Sequence, residues 1–130
     1  MPYLVDSDII IDFFKNREPG ISVFSKIKSQ DLSTSIVCWS EVGYGIKKSG
    51  NPAKRRQEFD QFLSGFNIKV LPIGIKIAGQ FVDLKMGLEK RGLRLEDFDL
   101  LIAATAVAHN LILATGNKKH FSRIPGLKLL

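Results

Sequence analysis

Short apolar runs rich in branched residues alternate with longer stretches of helical spacing along almost the whole chain, and that alternation leaves few folds open. Residues 3–5, 33–37, 68–71, 111–114 and 127–129 read as strands. Between them, residues 9–14, 21–28, 41–48, 54–63, 75–91 and 97–110 carry apolar side chains at helical spacing, and Lys118–Phe121 is a short helical turn. Ser7 or Asp8 and then Ser40 stand where helix caps are needed. Pro19-Gly20, Gly50-Asn51-Pro52, Gly92 and Pro125-Gly126 punctuate the segments. The helix that opens at Asp97 is apolar nearly all round, which makes it central. Strands and helices in this order specify an α/β chain: a central, mainly parallel sheet between two helical layers, in one domain of 130 residues.

Sheets of that kind bind ligands in the crevice outside the carboxyl ends of their strands. Acids fall at those ends. Asp6-Ser7-Asp8 follows the first strand, Glu41 lies a few residues past the second, and Thr115-Gly116-Asn117 follows the fourth. A further acidic stretch, Glu96-Asp97-Phe98-Asp99, opens the central helix. Carboxylates gathered away from water repel one another and resist ionisation unless a cation neutralises them. The pattern therefore predicts a divalent-metal pocket.

Asp99, Ala103 and Ala106 share one helix face, which predicts space for an ion and its waters beside the carboxylate. Glu41 and Gly45 repeat the arrangement, where glycine in a helix costs about 1 kcal/mol relative to alanine and implies a packing or access reason. Asp97 and Asp99 lie about 200° apart on a helical wheel, so Asp97 is assigned to the helix start and Asp99 to the metal. Oxygen donors without convergent His or Cys favour Mg²⁺ or Mn²⁺ over zinc. Such an ion needs only one or two protein carboxylates, so Asp6 and Asp99 are the expected direct ligands, with Glu41 completing the site. Asp8, Asp97, Thr115 and Asn117 are expected around them. A bound ion can activate water near neutral pH and stabilise charge on a phosphoryl group, which suits phosphodiester hydrolysis.

Nineteen Lys and Arg against thirteen Asp and Glu give a net charge of +6, which suits a polyanionic partner. Lys47, Lys48, Lys54, Arg55 and Arg56 are the candidate guides for RNA, set against the plainer reading of a solvated basic face. The single Cys38 excludes an intrachain disulfide and fits a reducing, cytoplasmic setting. Residues 100–117 are uncharged but contain Thr105, His109, Asn110 and Thr115, so they read as a buried helix and strand rather than a membrane span. Asp6 and Asp8 interrupt the first apolar run, which argues against a secretory signal.

Taken in order, these segments resemble the PIN-domain ribonucleases, and among them the VapC-type toxins of toxin–antitoxin pairs. The resemblance is carried by Tyr3-Leu4-Val5-Asp6-Ser7-Asp8-Ile9, Ser40-Glu41-Val42-Gly43-Tyr44-Gly45, Asp99-Leu100-Leu101-Ile102-Ala103-Ala104 and Thr115-Gly116-Asn117, then Phe121 and Ile124-Pro125-Gly126-Leu127. It implies a PIN-like fold, Asp6, Glu41 and Asp99 as the acidic core, a Mg²⁺- or Mn²⁺-dependent endoribonuclease, a homodimer and a cognate antitoxin. Asn117 stands where many relatives place a fourth acid, and Asp8 where the family usually has Asn. Two rival readings follow from the same residues. Asp6-Ser7-Asp8 is similar to the opening of haloacid-dehalogenase phosphatases, in which Asp6 would be the nucleophile, although Ile9-Ile10 and Lys118-Lys119 depart from that pattern. The other rival is a non-catalytic RNA- or partner-binding module with a degenerate site.

Overall fold

The computed structural model describes residues 2–130. Its sheet is wholly parallel, with the strands β1 (Pro2–Val5), β2 (Asp31–Ser35), β3 (Lys69–Leu71), β4 (Ile112–Ala114) and β5 (Lys128–Leu129) ordered β3-β2-β1-β4-β5. The chain moves outward from β1 through β2 to β3, then crosses back to lay β4 on the other flank of β1. The crevice between the carboxyl ends of β1 and β4 is thus the switch point at which parallel sheets bind ligands.

Side chains alternate across a strand, and the two faces bury separate cores. Leu4 of β1 and Leu113 of β4 enter one core with Ile77, Leu84 and Leu88 of α5 (Ile75–Lys90) and Leu100 and Ile102 of α6 (Asp97–Ala108). Val5 and Ala114, the next residues along, enter the other with Ile9 and Ile10 of α1 (Ser7–Phe14), Phe24 of α2 (Gly20–Ile27) and Phe59 and Phe62 of α4 (Pro52–Gly65). Helix α3 (Ile36–Lys47) joins both, giving Val37 and Cys38 to the first core and Val42 to the second. The short α7 (Lys118–Phe121) seals the first with Phe121. The three layers expected from the alternation are present.

One boundary differs in a way that matters for the site. Residues 33–37 read as a strand because Ile36 and Val37 are β-branched, but β2 stops at Ser35. There the Ser35 hydroxyl accepts the Cys38 N–H at 3.0 Å and caps α3, so the apolar run Ile36–Trp39 is the first turn of a helix. Ser40, expected as that cap, lies inside the helix and donates its hydroxyl to the Ile36 carbonyl at 2.8 Å. Local capping chemistry overrode strand propensity. Glu41 consequently projects from the second turn of α3 rather than from its start. Helix α4 is also longer than expected, because Asn51 caps it at the Lys54 N–H and Pro52 opens it.

Phe62 lies at the centre of the second core, with ring centroids 4.9 Å from Phe13, 5.3 Å from Phe24 and 5.2 Å from Phe66. Phe62→Ala is expected to lower unfolding stability by about 3–5 kcal/mol, as large-to-small changes at buried aromatics do. Urea denaturation checks this: a loss under 1 kcal/mol would mean that α4 packs elsewhere.

Candidate metal centre

Asp6 ends β1 at the switch point and is only 6% exposed. Its N–H extends the ladder to the Ala114 carbonyl at 3.0 Å, and its carboxylate is held from both flanks. Oδ2 accepts the Thr115 hydroxyl at 2.7 Å, from the end of β4, and Oδ1 accepts the Ser7 N–H at 2.8 Å, at the start of α1. The Cys38 thiol donates to Oδ1 at 3.7 Å from the first turn of α3. Burial raises the Asp6 pKa; the Thr115 and Ser7 hydrogen bonds oppose that, and the charges of Glu41 and Asp99 add to it.

Ser7 links the first acid to the second, donating its hydroxyl to Glu41 Oε1 at 2.9 Å. Ligand atoms of Asp6, Cys38 and Glu41 all lie within 4.8 Å of one another. Asp99, in the first turn of α6, faces Glu41 across a cavity of about 1060 Å³ that both line with Asn117 and His120. Burial raises the pKa of Glu41 against its bond from Ser7, and the Asp99 charge raises it further. Burial likewise raises Asp99, a trend the nearby charge of His120 opposes.

Asp8 stands on the α1 side of the same cluster. Its Oδ2 accepts the Gly116 N–H at 3.0 Å, while its Oδ1 is buried with no hydrogen-bond partner among the described residues. Burial first, and then the Asp6 charge, raise its pKa to about 6. Gly116 is required there, since a Cβ would fall 2.9 Å from Asp8 Oδ2. The Asn117 N–H donates to the Thr115 hydroxyl at 3.0 Å, so Thr115 relays order from the turn after β4 to Asp6.

This arrangement fits a divalent cation. Four carboxyl groups are all pushed toward protonation, one buried carboxylate oxygen has no donor, and only a positive charge relieves both at neutral pH. The one soft donor, Cys38, has its thiol pushed up to about 12 by burial and by Asp6, so it serves Asp6 as a hydrogen-bond donor. What remains for the ion is hard oxygen.

Several expected residues lie elsewhere. Asp97 borders the cavity, but its carboxylate pairs with Lys85 of α5 at 3.0 Å. Ala103 and Ala106 are fully buried in the first core, so their small size serves helix packing rather than open space beside Asp99. Gly45 borders a second, apolar groove with Ile11, Phe14 and Phe59. Arg55 and Arg56 are engaged by Glu58 and Asp60, Lys48 lies over the Tyr44 ring, and neither they nor Lys47 and Lys54 line the acidic cavity. Ser7 and His120 were not singled out from sequence, and Cys38 was considered only for disulfides. Ser7 lay within the Asp6-Ser7-Asp8 stretch, whereas nothing in the sequence ties Cys38 or His120 to the acids.

The PIN domain family model matches residues 3–127. Ribonuclease VapC2 of Rickettsia felis is 32% identical, over 99% of this chain and 96% of its own length. The fold superposes on a chain of VapBC2 from Rickettsia felis, solved bound to a DNA fragment from its promoter, with a TM-score of 0.86, 29% identity and coverage of 100% and 98%. It also superposes on a toxin-antitoxin complex from Klebsiella pneumoniae with a TM-score of 0.76, 29% identity and coverage of 98% and 95%. The family match over nearly the whole chain sets aside the phosphatase reading of Asp6. With its acids gathered at the switch point of a parallel sheet, this chain belongs to the PIN domain family, on its VapC branch.

Proposed function

We propose that this protein is a metal-dependent endoribonuclease, the toxin of a VapBC-type pair, and that Mg²⁺ or Mn²⁺ is held by Asp6, Glu41 and Asp99. The observation that carries the reading is the buried, mutually raised carboxylate cluster at the mouth of a cavity large enough for several nucleotides. When bound, the cation supplies charge stabilisation for a phosphoryl group and lowers the pKa of water. The chain's own residues supply the rest. Thr115 and the Ser7 N–H fix both oxygens of Asp6. The Ser7 hydroxyl commits one oxygen of Glu41, leaving the other for the ion or for a water proton. The Gly116 N–H holds one oxygen of Asp8 and leaves the second without a protein donor.

The VapBC complexes among the similar structures support an antitoxin partner for this chain. A homodimer is supported by one face of α5, where Ile75, Val82 and Met86 are 90%, 58% and 53% exposed. These positions fall within about 40° on a helical wheel, so they form a single apolar stripe open to solvent. No helix among the described residues is long and apolar enough to cross a membrane.

Purified protein with Mg²⁺ or Mn²⁺ is expected to cut structured total RNA and to stop in EDTA. Asp99→Asn should reduce cleavage by about 100-fold or more, the upper end of what losing even a group that supports a metal ligand costs. If cutting survives in Asp99→Asn, the catalytic centre lies elsewhere. If Asp6→Asn leaves RNA binding and cellular toxicity unchanged, the binding-module reading takes its place.

The raised acids also set a pH dependence for the metal-free protein. A carboxyl whose pKa is higher in the folded chain favours folding below its unfolded value and loses that contribution as pH rises through the folded value. For Asp8 the window runs from 3.8 to about 6. In EDTA this term favours a higher melting temperature at pH 5.5 than at pH 7.5. Mn²⁺ at a hundred times its Kd should restore about 2.7 kcal/mol, more effectively at the higher pH, where protons compete less. An equal Mn²⁺ effect at both pH values, read by calorimetry, would separate the ion from these carboxylates.

Val82→Asp tests the dimer: sedimentation should show monomers with an unchanged melting profile in EDTA. A persistent dimer would remove the α5 stripe from the interface.

A further inference from the structure

The cavity that holds the acids also gathers arginines, from segments far apart in sequence. Arg91 caps the end of α5, Arg94 follows in the loop leading to α6, and Arg123 lies just after α7. A chain of hydrogen bonds joins the three. Arg91 Nη1 donates to the Arg123 carbonyl at 3.4 Å, and Arg123 Nη1 donates to the Arg94 carbonyl at 3.4 Å. Arg94 and Arg123 both line the cavity with Glu41 and Asp99.

None of the three forms an ion pair with a carboxylate among the described residues. Acids are nearby: Glu89, Glu96 and Asp97 line the same cavity. Asp97 is taken by Lys85, and Glu96 acts on Asp99, whose pKa it raises. Each guanidinium carries five donors in a planar fork, and the bonds above use one on Arg91 and one on Arg123. Like charges brought together without a counter-charge favour an anion beside them. Forked donors suit the paired oxygens of a phosphate.

Resting on the nuclease reading of the acidic centre, we propose that Arg94 and Arg123, with Arg91 beside them, form a phosphate-binding subsite for single-stranded RNA. It seats a backbone phosphate next to the one undergoing cleavage. At about 1060 Å³ the cavity exceeds the roughly 300–1000 Å³ usual for a small ligand, so a strand has room to reach from the acids to the arginines. The lysines and arginines of α3 and α4 do not line this cavity, so the subsite lies where composition alone did not point.

The test uses full-length protein carrying Asp99→Asn, so that RNA stays intact, and reads binding of a fluorescein-labelled single-stranded RNA oligomer by anisotropy in EDTA over a series of salt concentrations. Adding Arg94→Gln and Arg123→Gln together should weaken binding by at least about tenfold per arginine. It should also flatten the slope of log K against log salt by about 1.4, since each phosphate contact on a single strand contributes about 0.7. Lys26→Gln on α2 serves as the control for net charge. Melting curves and Mn²⁺ titration of the same two changes in the otherwise unaltered protein should match its own, which separates lost contacts from lost folding or lost metal. Unchanged affinity and slope, with RNA still cut by the unaltered protein, would overturn the subsite alone. If the unaltered protein neither binds nor cuts RNA, the nuclease reading fails and the subsite with it. If labelled polyglutamate loses its binding to the double variant while RNA keeps its own, the arginines are a protein-docking surface and the proposal is wrong.

Discussion

The Asp6 carboxylate, buried at the seam between β1 and β4, is the constraint around which the rest of the site is arranged. A carboxylate 6% exposed must either find donors or stay protonated, and here it finds donors from three separate segments. Thr115 brings the end of β4, the Ser7 N–H the start of α1, and Cys38 the first turn of α3. Each of those contacts also fixes a second group. Thr115 is held by Asn117, Ser7 holds Glu41, and Cys38 N–H is itself bound by the Ser35 cap. One buried charge thus ties strand order, helix capping and the second acid into a single network.

The architecture was legible because it follows from periodicity. Five apolar runs separated by helices admit little except a parallel sheet between two layers, and the acids at strand ends mark its switch point. The start of α3 was not legible in the same way. Ile36 and Val37 read equally well as strand, and the deciding contact is a local one between the Ser35 hydroxyl and the Cys38 N–H, two serines away from the position that looked like a cap. Boundaries turn on such single hydrogen bonds, whereas element type turns on averages over many residues.

The site residues divide along similar lines. Asp6, Glu41 and Asp99 were named because carboxylates at strand and helix ends are visible in one dimension. Ser7, Cys38 and His120 were not, because their relevance depends on what lies opposite them in space. Ala103 and Ala106 illustrate the reverse error. Small residues below an acid on one helix face are consistent with open space or with close packing, and their complete burial selects packing. The basic residues show the same limit: α4 concentrates positive charge in sequence, yet Arg55 and Arg56 face Glu58 and Asp60 on their own helix.

Charge is therefore better counted by partner than by total. The excess of +6 is spread over a surface in which some cations are neutralised along a helix and others stand beside the acidic cavity without carboxylate partners. A polyanion is drawn by the overall field, but an acidic hole repels it at close range. Occupation by a divalent cation changes that balance locally, since two positive charges offset the carboxylates while Arg94 and Arg123 hold the strand at the rim. Loading of the centre and approach of the strand are then coupled through electrostatics alone: the same carboxylates that resist ionisation when empty cease to repel phosphate once the ion is in place.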